Sequence, residues 1–229
     1  MSIQLSSLHE EIANDATSLR QHPIRQRYAL GAIALWLVAA LTGMALLTLC
    51  SATPGSPANT PSQWPSETGF QPSSEQASIV VFLHPHCACS VASVRQLERA
   101  LPHIAQPVSL RLFFYCPGGE ADIWVRANVW DAASHLPGAD RVIDRDGKTA
   151  RQFGATTSGH ICVFSSDGRL VFSGGITPGR GHEGDNPASD ALVSAANGIL
   201  SEPFISPAFG CPFFENDQSM ASIGGDLNG

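Results

Sequence analysis

The sequence is poor in positive charge, and this shortage excludes one large class of function. Lys148 is the only lysine among 229 residues, Lys and Arg total 13 against 20 Asp and Glu, and the formal net charge is −7. Binding to nucleic acid requires clustered Lys and Arg that neutralise phosphates. The arginines of this chain are scattered, so no nucleic-acid partner is predicted.

Two catalytic signatures and a disulfide framework are also missing. The chain has no G-x-x-x-x-G-K-[ST] phosphate-binding loop and no serine-nucleophile elbow, so nucleotide and hydrolase functions have no support. Its six cysteines are too few to cross-link a chain of this length, and the folded part must therefore depend on a hydrophobic core. No cofactor is predicted.

Residues 28–50 lack charge altogether and are dominated by Leu, Ala, Ile and Val. At 1.5 Å per residue, a helix of this length crosses a hydrocarbon core about 30 Å thick. Arg25 and Arg27 lie just before the stretch, and no Lys or Arg follows until Arg95. The positive-inside tendency therefore predicts a single transmembrane helix, with residues 1–27 forming a cytoplasmic tail.

Two other interpretations of this stretch are weaker. A cleaved signal peptide would have a shorter charged region and a shorter apolar region. A lipoprotein site at Cys50 would need a small residue where Leu49 stands. The prediction is an uncleaved anchor in the cytoplasmic membrane, with everything after it periplasmic or otherwise extracytoplasmic.

The remaining chain divides by composition into three segments. Residues 51–77 are rich in Ser, Pro, Thr and Gly, which predicts a semi-extended linker because such a segment buries little apolar surface. Residues 78–201 form the predicted domain. Residues 202–229 form a C-terminal tail that begins apolar and ends polar, and its end is predicted to be disordered.

Within the predicted domain, apolar periodicity alternates between strand and helix patterns. Predicted strands are 78–83, 108–115, 141–143, 160–164 and 169–172, and predicted helices are 90–101, 120–136, 148–153 and one that begins at 185–187. This alternation predicts an α/β fold with a central sheet and helices on both of its faces.

The segment that bears the chemistry is His-Pro-His-Cys-Ala-Cys-Ser at 84–90. It lies where the first strand passes into a helix, and a helix N-terminus favours the thiolate form of Cys87. His86, when protonated, would add to this stabilisation, and His84 is close in sequence. A thiolate attacks a disulfide and a neighbouring thiol then resolves the mixed disulfide, a role for which Cys89 is placed.

These residues resemble the thioredoxin superfamily, with Cys87 at the position of the family's nucleophile and Ser90 at that of its second cysteine. Residues 84–90, 173–177 with 181–186, and 209–212 are similar to the membrane-anchored RedB-type thioredoxin-like proteins. The resemblance implies a thioredoxin-like sheet and thiol–disulfide exchange through a C-x-C motif. The implied partners are extracytoplasmic protein thiols or disulfides.

The sequence departs from the thioredoxin pattern in ways that affect the site. Thr157-Ser158-Gly159-His160 stands where the family has a cis-proline, so His160 is expected near the cysteines. Val81 replaces a buried acid that assists proton transfer, and His84 or His160 is predicted to take that role. The small ring of a C-x-C disulfide would be strained, which predicts a high reduction potential.

Two other functions remain open on the same residues. Cys87, Cys89 and His84, with His86 or His160 nearby, would suit soft Cu(I) in a metallochaperone. The fold would otherwise serve as a docking surface without enzymatic activity.

The other cysteines and one glycine-rich loop have competing interpretations. Cys162 is predicted to be a small buried hydrophobe, and so is Cys116, the alternative being a place near the active edge of the sheet. Cys211 lies in the apolar part of the tail and is either unpaired or a second resolving partner. Residues 181–186 are predicted to be a turn with a helix cap, the alternative being a loop that lines the site.

Overall fold

The computed structural model describes residues 3–214, with side chains from residue 26 onward, and its chain separates into two compact units that divide after Cys50. The described part of the first unit belongs to the long helix α1 (Ile3–Ala52), whose last two residues fall in the second unit. Within the described residues, its segment Gln26–Ala52 is the one stretch long and apolar enough to cross a membrane. A candidate span therefore exists at the place of the predicted anchor.

The second unit contains six strands and five α-helices within the described range. The strands are β1 (Ala77–Leu83), β2 (Val108–Cys116), β3 (Ala139–Arg145), β4 (His160–Phe164), β5 (Leu170–Gly174) and β6 (Phe204–Ile205). The helices are α2 (Ala88–Ala100), α3 (Asp122–Val125), α4 (Asn128–Ala133), α5 (Lys148–Gln152) and α6 (Pro187–Ala196), and a 3₁₀ turn (Leu101–His103) follows α2.

The strands form one mixed sheet in the order β3-β2-β1-β4-β5-β6. Strand β1 is parallel to β2 and antiparallel to β4, and β4 and β5 form an antiparallel pair. The parallel pairs are joined through helices, as such crossovers require. The α/β class predicted from the alternation of strands and helices is therefore confirmed, and the sheet is thioredoxin-like, as the resemblance implies.

Each face of the sheet has its own hydrophobic core. Strand residues alternate between the faces, so Val81 and Leu83 pack with α2, α4 and α6 on one side. Val80 and Phe82 pack on the other side with Phe153, which follows α5. Helices therefore lie on both faces, and the end of β1 with the start of α2 is fixed by packing from the first core.

The predicted helix 120–136 is wrong as a single element, because α3 and α4 are separate. Ala127, between them, is in an extended conformation with φ −114° and ψ −173°. The break directs Trp124 against the rings of His84 and His86, whereas Trp130 packs on Phe114. One tryptophan thus belongs to the surroundings of the motif and the other to the core.

The predicted linker at 51–77 is also corrected, since it packs along the second unit. Backbone hydrogen bonds join Trp64 N–H to the Gly168 carbonyl at 2.8 Å and Leu170 N–H to the Ser62 carbonyl at 2.9 Å. The Trp64 ring packs on Phe153 at a centroid distance of 5.1 Å. These contacts make the segment part of the folded unit rather than a free spacer.

The tail from residue 202 returns to the sheet over its described part. Phe204–Ile205 form β6 beside β5, and Phe213, 5% exposed, joins the second core. The boundary predicted at residue 201 therefore falls too early. The prediction that the tail ends in disorder concerns 215–229, which lie outside the described residues.

Candidate functional site

Cys87 occupies the N-cap position of α2, which confirms its predicted place at a helix start. Its backbone is extended, with φ −97° and ψ 120°, and the helix begins at Ala88. The first backbone N–H groups of a helix have no partner within it and carry its positive dipole end. The Cys87 sulfur therefore lies beside donors that favour a negative charge.

Cys87 is only 3% exposed, although reactive thiols are commonly partly accessible. It belongs to neither hydrophobic core. One neighbour that contacts its sulfur is Cys211, whose own sulfur lies 2.9 Å away. The C-terminal segment therefore contributes to the low exposure of Cys87.

The surroundings of Cys87 act on its pKa in opposite directions. Burial raises the pKa, but the hydrogen bond with the Cys211 thiol and the backbone N–H groups of Ser90, Cys211 and Cys89 lower it. The hydrogen bonds outweigh burial, and the pKa of Cys87 is lowered overall. The structure therefore favours a thiolate at this atom.

Cys211 is brought to Cys87 by backbone pairing that sequence analysis did not find. Thr157 and Pro212 form an antiparallel bridge, Ser158 N–H donates to the Cys211 carbonyl at 2.9 Å, and Phe213 N–H donates to the Thr156 carbonyl at 3.0 Å. The signal in the sequence was the segment Phe-Gly-Cys-Pro-Phe at 209–213, which is unusually apolar for a tail.

Gly210 is required for this approach. A Cβ at this position would lie 2.0 Å from the Ser158 carbonyl oxygen, far inside van der Waals contact. Only glycine lets the two backbones come this close, and the pairing places the Cys211 thiol above the N-terminus of α2.

The pKa of the Cys211 thiol moves in the opposite direction to that of Cys87. Burial, the hydrogen bond with Cys87 and the charges of Cys87 and Cys89 raise the pKa of Cys211 to about 12, and the Arg180 guanidinium only partly opposes them. Cys87 thus carries the negative charge of the pair, and Cys211 keeps its proton and donates it.

Cys89 lies in the first turn of α2 and is partly exposed. Burial and the adjacent Cys87 sulfur raise its pKa, while the Gly181 N–H and the Arg180 guanidinium lower it by a smaller amount. The loop that contains Gly181 therefore borders the site. Asn186 at the end of that loop caps α6 by accepting from the Ala188 N–H at 3.1 Å, which confirms the predicted helix cap.

Arg180 is a further site residue that the sequence did not reveal. Its Nη1 donates to the Gly210 carbonyl at 2.6 Å and its Nε donates to the Thr53 carbonyl at 3.0 Å. One side chain thus holds both the segment before Cys211 and the start of the second unit. No local pattern marks this arginine, because its acceptors are backbone groups distant in sequence.

Ser90, at the position of the second cysteine in a C-x-x-C motif, has a structural role. Its buried hydroxyl pairs with the Ser158 hydroxyl, and it accepts from the His84 N–H at 3.2 Å. The Ser158 hydroxyl accepts from the same His84 N–H at 3.3 Å. No peptide bond among the described residues is cis. This network joins the motif to the loop before β4 without a cis-proline.

The two motif histidines contact each other and aromatic rings. His86 Nε2 is 3.0 Å from the Trp124 carbonyl, and His86 N–H donates to His84 Nδ1 at 3.2 Å. The His84 ring stacks on Tyr115, and burial followed by the His86 charge lowers the pKa of His84. Across the described part of the chain, neither ring hydrogen-bonds to the sulfur of Cys87 or Cys89.

The expectation that His160 lies near the cysteines is wrong. His160 pairs with Phe82 across β4 and β1, which places its side chain on the sheet face opposite α2. Its Nε2 lies 3.1 Å from Ser173 Oγ and 3.2 Å from Thr60 Oγ1, and burial lowers its pKa to about 4. His160 is a buried, neutral, hydrogen-bonded histidine.

The described residues do not form a preassembled Cu(I) site. Among the residues that the structure covers, no group of three or more His, Cys, Asp or Glu is arranged to hold a metal ion. The predicted trio of Cys87, Cys89 and His84 would have to rearrange, because the His84 ring packs on Tyr115.

The remaining cysteines lie outside the site. Cys116 and Cys162 are fully buried, as predicted for small hydrophobes, and burial raises the pKa of Cys162 to about 12. Cys50 is exposed on α1.

Titration of Cys87 should reveal its hydrogen bond with Cys211. We expect Cys211→Ala to raise the pKa of Cys87, because the thiol that donates to the sulfur is lost, and Cys211→Ser to raise it less, because a hydroxyl remains. The measurement is the midpoint of the pH profile for iodoacetamide alkylation of Cys87. Equal midpoints in the wild type and the alanine variant would contradict this contribution.

Comparison with known proteins gives structural similarity alone. No protein-family model matches the sequence, and no curated protein reaches a significant match. An uncharacterized conserved protein from Geobacillus kaustophilus is similar at 15% identity and a TM-score of 0.48, with 72% of this chain and 94% of that chain covered.

Two further solved structures are similar at comparable sequence identity, the second with a lower TM-score and lower coverage. A hypothetical protein from Sinorhizobium meliloti 1021 shows 15% identity and a TM-score of 0.49 over 70% of this chain and 98% of its own. A secreted Mycobacterium tuberculosis disulfide oxidoreductase homologous to E. coli DsbE shows 14% identity and a TM-score of 0.36 over 55% and 83%.

Proposed function

We propose that this chain is a membrane-anchored thiol–disulfide oxidoreductase of the RedB type, with Cys87 as its nucleophile. The observation that carries the proposal is the environment of one sulfur atom. Cys87 lies at the N-terminus of α2, its pKa is lowered by hydrogen bonds, and a second thiol lies 2.9 Å away. A stabilised thiolate beside a protonated thiol is the arrangement that disulfide exchange needs.

The exchange reaction follows from these two protonation states. The Cys87 thiolate attacks one sulfur of a partner's disulfide, and the partner's other sulfur leaves as a thiolate. A neighbouring thiol then displaces the partner from Cys87, so the partner is reduced by two electrons and the chain acquires a disulfide. The same steps in reverse oxidise a partner dithiol.

The anchor and its orientation complete the proposal. Residues 28–50 hold the chain in the cytoplasmic membrane, and the arginines before this stretch keep residues 1–27 in the cytoplasm. Residues 51–229 then face the periplasm or an equivalent compartment. Disulfides persist in such compartments, so the partners are extracytoplasmic protein thiols or disulfides.

His84 and His86 are proposed to assist without bonding directly to the sulfur. Both flank Cys87 in the motif, and Trp124 fixes their rings at centroid distances of 5.8 and 4.4 Å. A positive charge on His86 would favour the nearby thiolate through space. His160 has no part in the proposal, since its ring lies on the other face of the sheet.

The test is reaction of the reduced full chain, in detergent micelles, with glutathione disulfide. Cys87→Ser should lower the release of glutathione to the uncatalysed background, because the attacking thiolate is gone. Cys50→Ser is the matched control and should react at the wild-type rate, since Cys50 lies on α1. A Cys87→Ser variant that retains the wild-type rate would overturn the proposal.

A further inference from the structure

We propose that Cys211, and not Cys89, is the thiol that resolves a mixed disulfide on Cys87. The inference rests on the proposed function and names the second catalytic cysteine of the same site. It replaces the local C-x-C pair with a pair whose members lie 124 positions apart in the chain.

Cys89 and Cys211 both interact with Cys87, and the contact of Cys211 is the one with a short sulfur–sulfur distance, 2.9 Å. Cys87 is the N-cap of α2 and Cys89 is the second residue of the helix. The pKa of Cys89 is raised by burial, by the charge of Cys87 and by a hydrogen bond with it, and is lowered by the Gly181 N–H and the Arg180 guanidinium. Cys89 is therefore shared between Cys87 and the loop of Gly181, whereas the Cys211 thiol is directed at Cys87.

Several contacts hold Cys211 in place beside Cys87. Its thiol lies 2.9 Å from the Cys87 sulfur, and its backbone N–H also donates to that sulfur. Its carbonyl accepts from the Ser158 N–H at 2.9 Å. Three separate interactions therefore fix this residue over the nucleophile, as positioning of a reacting group requires.

The flanking residues hold the same segment in place. The Gly210 carbonyl accepts from Arg180 Nη1 at 2.6 Å, and Phe213, 5% exposed, inserts into the second core. The segment 210–213 is thus anchored on both sides of Cys211. It pairs with the loop 156–158 through an isolated antiparallel bridge between Thr157 and Pro212.

The reaction through Cys211 balances without another reagent. The Cys87 thiolate attacks a partner disulfide, forms a mixed disulfide and releases one partner thiolate, which takes the proton of the Cys211 thiol. The Cys211 thiolate attacks the Cys87 sulfur and expels the second partner thiolate. One disulfide is reduced by two electrons, and the Cys87–Cys211 disulfide is formed.

We expect access of a partner to Cys87 to involve movement of the segment 210–213. Cys87 is 3% exposed, and the Cys211 thiol lies 2.9 Å from its sulfur. The segment moves aside for the partner and returns with Cys211, which makes resolution depend on the return of the pairing at 156–158.

The experiment compares Cys211→Ser and Cys89→Ser in a Cys50→Ser background, using the full chain in detergent micelles. Reduced protein is mixed with glutathione disulfide, quenched by acid, and examined by intact mass and by mapping of disulfide-linked peptides. We expect Cys211→Ser to accumulate the glutathione adduct on Cys87. We expect Cys89→Ser to form the Cys87–Cys211 peptide pair, as the parent protein does.

The possible results separate the two proposals. Accumulation of the adduct in Cys89→Ser, together with a Cys87–Cys89 disulfide in Cys211→Ser, would overturn the role of Cys211 and leave the exchange function intact. Failure of the parent protein to react, or reaction that persists after Cys87→Ser, would remove the exchange function and the role of Cys211 with it.

Discussion

Replacing Trp64 by alanine is expected to lower the free energy of unfolding of the second unit by about 3 kcal/mol, as for a large aromatic removed from a core. The Trp64 ring packs on Phe153 and Phe164 at centroid distances of 5.1 and 5.2 Å. Its Nε1 donates to Thr68 Oγ1 at 3.0 Å and to the Phe70 carbonyl at 3.1 Å. The substitution removes the packing and both hydrogen bonds.

The measurement is urea unfolding of the full chain in detergent micelles, followed by fluorescence of the remaining tryptophans. Ser66→Ala is the matched control, because Ser66 lies exposed in the same segment and should change the stability by less than about 0.5 kcal/mol. If Trp64→Ala were as mild as Ser66→Ala, residues 51–77 would be a free linker after all.

The Trp64 contacts explain why the composition of residues 51–77 led to the wrong prediction of a linker. Residues 51–77 contain five prolines and many serines and threonines. When the amino-acid composition is averaged over the whole segment, it indicates a spacer. Two aromatic residues, Trp64 and Phe70, supply enough apolar surface to close the second core over Phe153 and Phe113. An average over a long window conceals two well-placed side chains.

The local part of the site was predictable from the sequence. An apolar strand that ends at Leu83, followed by Pro85 and an apolar helical pattern, requires a strand-to-helix turn. The N-cap position of Cys87 follows from that turn, because both elements are defined by short-range periodicity. The core cysteines Cys116 and Cys162 were predictable for the same reason.

The pairing of Cys87 with Cys211 was not predictable in this way. It depends on the path of the tail after β6, on the absence of a side chain at Gly210, and on Arg180. Each of these features depends on contacts with backbone groups that are distant from it in the sequence. A local search therefore selected Cys89 as the partner, and with it the strained ring from which a high reduction potential was predicted.

The position of His160 could have been obtained from strand alternation. Residues 160, 162 and 164 of β4 share one face of the sheet, and Cys162 and Phe164 belong to the second core. Helix α2, with Cys87 at its N-terminus, packs on the other face. The absence of a proline near His160 suggested proximity to the site, whereas the two-residue period of the strand placed its ring away from it.

The buried position of His160 leads to the second large effect, a loss of stability in acid. Burial lowers the pKa of His160 from 6.5 to about 4 in the folded chain, so the unfolded chain binds more protons between these two values. Stability is fully present above pH 6.5 and is lost as the pH falls towards 4. The gap of about 2.5 pH units corresponds to about 3 kcal/mol.

This loss should disappear in His160→Gln. Glutamine retains groups that can hydrogen-bond to Thr60 and Ser173, which lie 3.2 and 3.1 Å from His160 Nε2, but it takes up no proton. Between pH 7 and pH 4, the wild-type chain is expected to lose about 3 kcal/mol more than the variant. The measurement is urea unfolding at a series of pH values.

The comparison isolates His160 because the other titrating groups are common to both chains. Acidic side chains and His84 contribute to the pH dependence of each protein, and their contributions cancel in the difference. His103→Gln, which alters an exposed histidine, should leave the free energy of unfolding at pH 7 within about 0.5 kcal/mol of the wild-type value. Parallel profiles for wild type and His160→Gln would mean that His160 gains its proton without cost, and so is not enclosed between β4 and the Thr60 segment.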